Sequence, residues 1–231
     1  MPDQSVATYT PVSEISVDAR ASFISKTYGH VAAALLLFTL IEIWLFKTER
    51  VVPLTQFLLS FNWLLVIGGL MLVSWLATHV SLRMESKPLQ YLALAGFVAA
   101  QAVIFAPMLL IASIQKPGII GDAAEITLLG TFGLTAVAFI TRKDFSFMRS
   151  VLIWAGVVAL IAIAGGVLFG FQLGTWFSVA MIGFAGAAVL YDTSNIIHHY
   201  PEDRYVGAAL ALFSSIMLMF WYVLRLLMSR R

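Results

Sequence analysis

The sequence has no cysteine and few charged residues. None of its 231 residues is Cys, which excludes disulfides, thiol nucleophiles and cysteine-bound metals. Charged residues make up 11% of the chain and hydrophobic residues 61%, whereas a typical soluble domain carries about a quarter charged residues. So little polar material cannot cover a soluble globule. The composition therefore predicts a protein whose main solvent is the lipid bilayer.

The chain also lacks a dense cluster of Lys and Arg, and its formal net charge is only +2. Both observations argue against a nucleic-acid partner. Residues 1–27 do not resemble a cleavable signal, because they are polar and contain charges of both signs. We predict a flexible tail over residues 1–27, in which the stretch from Asp18 to Lys26 is a candidate interfacial helix.

Long apolar runs recur along residues 28–231, each long enough to cross a hydrocarbon core of about 30 Å. They predict an all-α integral membrane protein with seven transmembrane helices. Short segments with Pro, Gly or charged residues separate the runs. The break at Gln172 is the weakest, because no charge separates the two helices there. The predicted spans lie near 28–46, 60–80, 89–114, 120–140, 150–170, 173–198 and 205–227.

The distribution of Lys and Arg favours a cytoplasmic N-terminus. With seven spans, the tail and the even-numbered connections share one side of the membrane, although the Arg230–Arg231 pair lies on the other. The side of the tail holds eight cations: Arg20, Lys26, Arg83, Lys87, Arg142, Lys143, Arg149 and Arg204. The opposite side holds six: Lys47, Arg50, Lys116, Arg225, Arg230 and Arg231.

Asp192 is the ionisable residue predicted to lie deepest in the membrane, and such residues are functional candidates. It precedes His198 by six residues, which places it about 9 Å inside the end of its helix. Helical spacing puts Asn195 and several small residues on its face. Burial disfavours a charged carboxylate, so Asp192 is a candidate protonation switch. The alternative is that it only makes hydrogen bonds to neighbouring helices.

Other polar residues lie nearer to the ends of their spans. We expect Glu42 to reach towards water and Arg225 to reach the membrane interface. His79 and Arg83, at the end of the second span, are candidate counter-charges for Asp192. Adjacent His198 and His199 point about 100° apart on a helix and cannot form a metal-binding pair. The sequence therefore predicts no metal site and no cofactor.

Several motifs together resemble the Bax inhibitor-1 family, and its bacterial members most closely. The first is Tyr191-Asp192-Thr193-Ser194-Asn195-Ile196-Ile197, followed by Glu202-Asp203 and an Ala- and Leu-rich last helix. The others are the loop sequence Thr141-Arg142-Lys143-Asp144-Phe145-Ser146-Phe147 and the triplet Phe105-Ala106-Pro107. The resemblance covers nearly all of the chain after residue 20.

This resemblance implies a bundle of seven helices in which the last helix is central. It also implies a pH-sensitive calcium leak, with Ca²⁺ as the transported ion. In studied members, two aspartates on the last two helices share a proton. The first corresponds to Asp192, whereas the second corresponds to Ser215. The two-aspartate switch is therefore absent, and an Asp–Ser pair has one fewer negative charge and weaker coupling.

Some bacterial relatives instead bind a membrane-anchored AAA protease, for which the N-terminal tail would be a handle. This is the alternative function, and the same resemblance indicates the bacterial inner membrane. We do not expect an enzyme. Intramembrane aspartyl proteolysis needs a second deep Asp, a serine protease of the membrane needs a nucleophile turn, and retinal binding needs a Lys in the last span.

Overall fold

The computed structural model describes residues 10–229, so the first nine residues of the predicted tail and the Arg230–Arg231 pair lie outside the described part. Eight α-helices are formed between residues 10 and 229, and seven of them are long and apolar enough to cross a membrane. The predicted all-α membrane architecture is confirmed. The helices are α1 (Val17–Lys47), α2 (Val51–Leu59), α3 (Trp63–Arg83), α4 (Lys87–Gln115), α5 (Ile119–Thr141), α6 (Met148–Phe169), α7 (Thr175–His198) and α8 (Tyr205–Ser229).

The weak break at Gln172 does separate two helices. Gly170 follows the last residue of α6 with a φ of 74°, a left-handed conformation that glycine adopts without a steric penalty. Its N–H donates to the carbonyl of Gly166 at 3.0 Å. Because Gly170 ends α6 in this way, α7 can begin at Thr175 and cross the membrane in the opposite direction.

α8 lies at the centre of the bundle, as the sequence resemblance implied. It packs against α1, α3, α4, α5 and α7, and most of its side chains are buried. Aromatic pairs fix it against α4: the ring centroids of Phe97 and Phe213 are 6.1 Å apart, and those of Phe105 and Trp221 are 4.9 Å apart. A polar group on α8 is therefore surrounded by other helices and shielded from lipid.

The short helix α2 was not predicted. The sequence interpretation treated the region around Pro53 only as a break between spans. Pro53 lies in the first turn of α2, where its missing N–H would have no helical partner. Val51 packs with Leu45 and Ala106 in a small apolar cluster. α2 therefore lies against the ends of α1 and α4 and does not cross the membrane.

The prediction of a flexible tail over residues 1–27 is wrong for residues 17–27, where the candidate helix from Asp18 to Lys26 is present as the first part of the long helix α1. α1 begins at Val17, where the Ser16 side chain accepts a hydrogen bond from the N–H of Ala19. This is the usual way to cap a helix N-terminus. Phe23, within the predicted tail, is only 1% exposed. The first span is consequently longer than its apolar run suggested.

The segment before α1 is attached to the end of α7. The N–H of Val12 donates to the Tyr200 carbonyl at 2.9 Å, and the Ser13 hydroxyl donates to the His198 carbonyl at 2.9 Å. The Arg20 guanidinium, in the first turn of α1, donates to the Ile197 carbonyl at 3.0 Å. The last carbonyls of a helix lack partners within it. Here residues from the start of the chain supply those partners.

Candidate functional site

Asp192 on α7 and Ser215 on α8 form the centre of the candidate site. The Ser215 hydroxyl donates a 2.6 Å hydrogen bond to Oδ2 of Asp192. Each residue is only 9% exposed, and the two helices pack along their lengths. The structure thus joins the two positions of the family pair, but with a hydroxyl in place of the second carboxylate.

Three more hydroxyl groups lie buried beside Asp192. The hydroxyl of Tyr28, on α1, lies among the side chains of Thr135, Thr193 and Asp192. Within residues 10–229, none of the Tyr28, Thr135 and Thr193 hydroxyl oxygens has a hydrogen-bond partner of acceptable geometry. Buried polar groups without partners are rare and costly. We call Tyr28, Thr135 and Thr193 the hydroxyl cluster, and it can supply several polar contacts to water or an ion.

The predicted counter-charges do not reach Asp192. Arg83 is exposed at the end of α3, and the His79 ring packs at a tilt against Trp75 with ring centroids 5.4 Å apart. Leu82, the residue before Arg83, faces α8 and lies close to Gly207. Since adjacent helical residues point about 100° apart, Arg83 turns away from the bundle. No ion pair joins Asp192 to a cation in the described part of the chain.

Asn195 lies one turn after Asp192 and is half-buried. Its backbone carbonyl accepts the N–H groups of His199 at 2.8 Å and Tyr200 at 3.2 Å. The described residues show no hydrogen bond between the Asn195 side chain and Asp192. Asn195 therefore helps to end α7, and within residues 10–229 its side chain makes no hydrogen bond to Asp192.

The loop motif of residues 141–147 meets the motif of α7, residues 191–197, at the end of that helix. The Ser194 hydroxyl accepts the N–H of Phe145 at 2.9 Å, and Nε2 of His199 is 3.1 Å from both carboxylate oxygens of Asp144. The N–H of Ser146 donates to Asp144 and is the main reason why the pKa of Asp144 is below its usual value. The hydrogen bond with the His199 ring is the second reason. The contact of Asp144 with His199 could not be predicted from the sequence, because spacing along the chain does not show that the loop reaches the end of α7.

Glu42 is a second buried carboxylate and does not reach towards water as predicted. The residue is 6% exposed, and both carboxylate oxygens are buried without a hydrogen-bond partner among residues 10–229. Its position one turn from the helix end suggested an exposed carboxylate. In the structure Glu42 instead lines a cavity of about 540 Å³ between α1, α4, α5 and α8.

Metal-binding groups are not concentrated anywhere in the described structure. No cluster of three or more His, Asp or Glu side chains that could hold a metal ion occurs within residues 10–229. Asp192 is accompanied by hydroxyl groups and no second carboxylate. Such a site can bind a hydrated cation only weakly.

Comparison with known proteins identifies the family. The family described as "Inhibitor of apoptosis-promoting Bax1" matches residues 20–231. The chain belongs to the Bax inhibitor-1 family. A BI1-like protein of Arabidopsis thaliana is 29% identical over 216 residues, which are 90% of this chain and 80% of the plant protein.

Two bacterial relatives match about half of the chain. The modulator of FtsH protease YccA of Escherichia coli is 33% identical over 112 residues, 46% of this chain and 51% of the relative. A Pseudomonas aeruginosa protein is 35% identical over 111 residues, 47% of this chain and 49% of the relative. The chain thus spans about half the length of these two relatives.

Proposed function

We propose that this member of the Bax inhibitor-1 family is a passive, pH-sensitive leak for cations, including Ca²⁺, in a bacterial inner membrane, with its N-terminus in the cytoplasm. The observation that carries the proposal is the buried hydrogen bond from Ser215 to Asp192. It connects the central helix to the helix that bears the deepest carboxylate. The proposal includes no catalytic step and no cofactor.

Protonation of Asp192 would decide whether the leak is closed. A neutral carboxylic acid still accepts the Ser215 hydrogen bond, and its own O–H needs one acceptor, but it carries no charge that must be solvated. An ionised carboxylate in the same place has no cation beside it and must be solvated. The hydroxyl cluster offers three oxygens for that purpose. Ionisation would therefore draw water and a cation between α1, α5, α7 and α8, and this opens the path.

Calcium flux into dye-loaded liposomes tests the proposal. The protein is reconstituted and flux is measured between about pH 6 and pH 8, for wild type, Asp192→Asn and Ser215→Ala. We expect pH-dependent flux in wild type and no pH dependence in Asp192→Asn. Ser214→Ala is the matched control, because Ser214 is adjacent to Ser215 on α8 but lines a cavity between α3, α4, α6 and α8. Flux no greater than in empty liposomes would exclude the leak.

A second candidate is a modulator or substrate of a membrane-anchored AAA protease. The E. coli relative is named as a modulator of such a protease, FtsH. A deletion that tests an N-terminal handle for the protease must leave the fold intact. A deletion of residues 1–25 would remove Val12, Ser13 and Arg20, which bind the end of α7. It would also remove the start of α1.

A deletion of residues 2–9 is therefore the better discriminator. It leaves the contacts of Val12, Ser13 and Arg20 with the end of α7 in place. If the second candidate is right, this deletion reduces co-purification with the protease and leaves calcium flux unchanged. If co-purification is unaffected, the N-terminal residues are not the handle.

A further inference from the structure

A cavity of about 960 Å³ lies between α3, α4, α6 and α8, on the side of α8 where Ser214 lies and not Ser215. α3 and α6 touch each other at few points, so the cavity forms a groove between them. Its rim residues Met71 and Trp75 on α3 are 49% and 63% exposed, and Phe171 beyond α6 is 50% exposed. The groove therefore opens sideways, towards the hydrocarbon of the bilayer.

A cation stands at one end of this groove. Arg225 is one turn before the end of α8 and is half-buried. Nη2 of Arg225 donates to the carbonyl of Leu173, in the loop between α6 and α7, at 2.8 Å. No carboxylate in the described chain pairs with it. A guanidinium has five N–H donors, so most of its hydrogen-bonding capacity and its whole charge remain available.

The remainder of the groove suits an apolar chain. Phe97, Phe105 and Leu218 line its body, and Trp63 and Trp221 stand near the Arg225 end with ring centroids 6.5 Å apart. Trp is typical of the depth at which lipid headgroups meet hydrocarbon. The volume is at the upper end of the range for small-molecule sites, about 300–1,000 Å³, which is large enough for an elongated amphiphile.

We propose that this groove binds one phospholipid, whose phosphate pairs with Arg225 and one of whose two acyl chains lies between α3 and α6. The argument is charge complementarity. An unpaired guanidinium at the edge of the hydrocarbon is costly, and its planar donors match phosphate oxygens. The groove attached to it is open to lipid.

Native mass spectrometry of the purified full-length protein tests this proposal. Delipidated protein is titrated with phosphatidylglycerol and with diacylglycerol of the same chains, which lacks the phosphate. We expect one phosphatidylglycerol per protein and much weaker binding of diacylglycerol. Arg225→Gln should reduce phosphatidylglycerol affinity about tenfold or more, and Arg225→Lys less, because a charged hydrogen bond is lost only in the first.

Two further variants exclude trivial explanations. Arg149→Gln removes an exposed Arg on α6 outside the groove and should bind lipid like wild type. Ser74→Phe fills the groove while keeping Arg225, and should also reduce binding. Thermal unfolding establishes that each variant is folded. Wild-type affinity in both Arg225→Gln and Ser74→Phe overturns the proposal. The proposal is also overturned if Arg225→Gln binds lipid like wild type but loses self-association or the binding of a protein partner, because the groove would then be a protein interface.

Discussion

The hydroxyl of Ser215 and the carboxylate of Asp192 are joined at 2.6 Å between the two last helices. Where the resemblance implies two carboxylates, this chain has one carboxylate, Asp192, and one hydroxyl that donates a hydrogen bond to it, Ser215. A hydroxyl cannot share a proton with Asp192 as a second acid would, but it fixes the position of Asp192 against the central helix. The pair is therefore both a packing contact of α7 with α8 and the candidate switch.

Removal of the Ser215 hydroxyl should destabilise the bundle. Ser215→Ala leaves a buried oxygen of Asp192 without its donor, which costs about 1–3 kcal/mol. Asp192→Asn can still accept a hydrogen bond and should cost less. A double-mutant cycle of unfolding in detergent, with Ser215→Ala and Asp192→Ala, measures the coupling. Strict additivity of the two single changes would show that the hydrogen bond contributes nothing.

Introduction of the missing acid should strengthen the pH response. Ser215→Asp places a second carboxylate beside Asp192, and two nearby carboxylates cannot easily both ionise. We expect calcium flux in liposomes to depend more steeply on pH than in wild type, with the change displaced to higher pH. Ser214→Asp is the control, since Ser214 lines the groove of α3 and α6 instead. An equal effect of both changes would argue against a specific pair.

The positions of the spans could be predicted because hydropathy and length are local properties. Every predicted span corresponds to one helix of the structure. The contact of Asp192 with Ser215 was available from the resemblance. The burial of Glu42 and the capping of α7 by Val12 and Ser13 could be predicted neither from hydropathy nor from the resemblance. These features depend on contacts between residues distant in the chain, such as Ser13 and His198, and local periodicity contains no information about them.

The contact between Asp144 and His199 should stabilise the loops above a threshold pH. The pKa of Asp144 is lowered in the folded protein, first by the Ser146 N–H and then by the His199 ring. Its contribution is thus fully present above the unfolded pKa, about 3.9, and is lost as the pH falls through the folded pKa. Both partners are 46% exposed, so the contribution should not exceed about 1 kcal/mol.

Thermal unfolding of wild type and Asp144→Asn between about pH 7 and pH 3 measures this contribution. The stability difference that comes from the ionised Asp144 should shrink as the pH falls below about 4. Asp122→Asn is the control, because Asp122 belongs to an exposed pair with Lys116 at 3.6 Å on the opposite side. A difference that grows as the pH falls below about 4 would contradict the assignment.

Gly207 should be the glycine least tolerant of a side chain. An added Cβ would lie 2.5 Å from Cδ2 of Leu82 and 3.2 Å from the carbonyl oxygen of Ser81. The backbone oxygen cannot move without shifting α3, so Gly207→Ala should destabilise the protein by about 1–3 kcal/mol.

Gly183 is the control. An added Cβ at Gly183, on α7, would meet no atom within 4 Å. Gly183→Ala should therefore stabilise the protein by about 0.4–1 kcal/mol. Unfolding of both variants in the same detergent gives the comparison, and equal tolerance at the two positions would show that α3 and α8 are less closely packed.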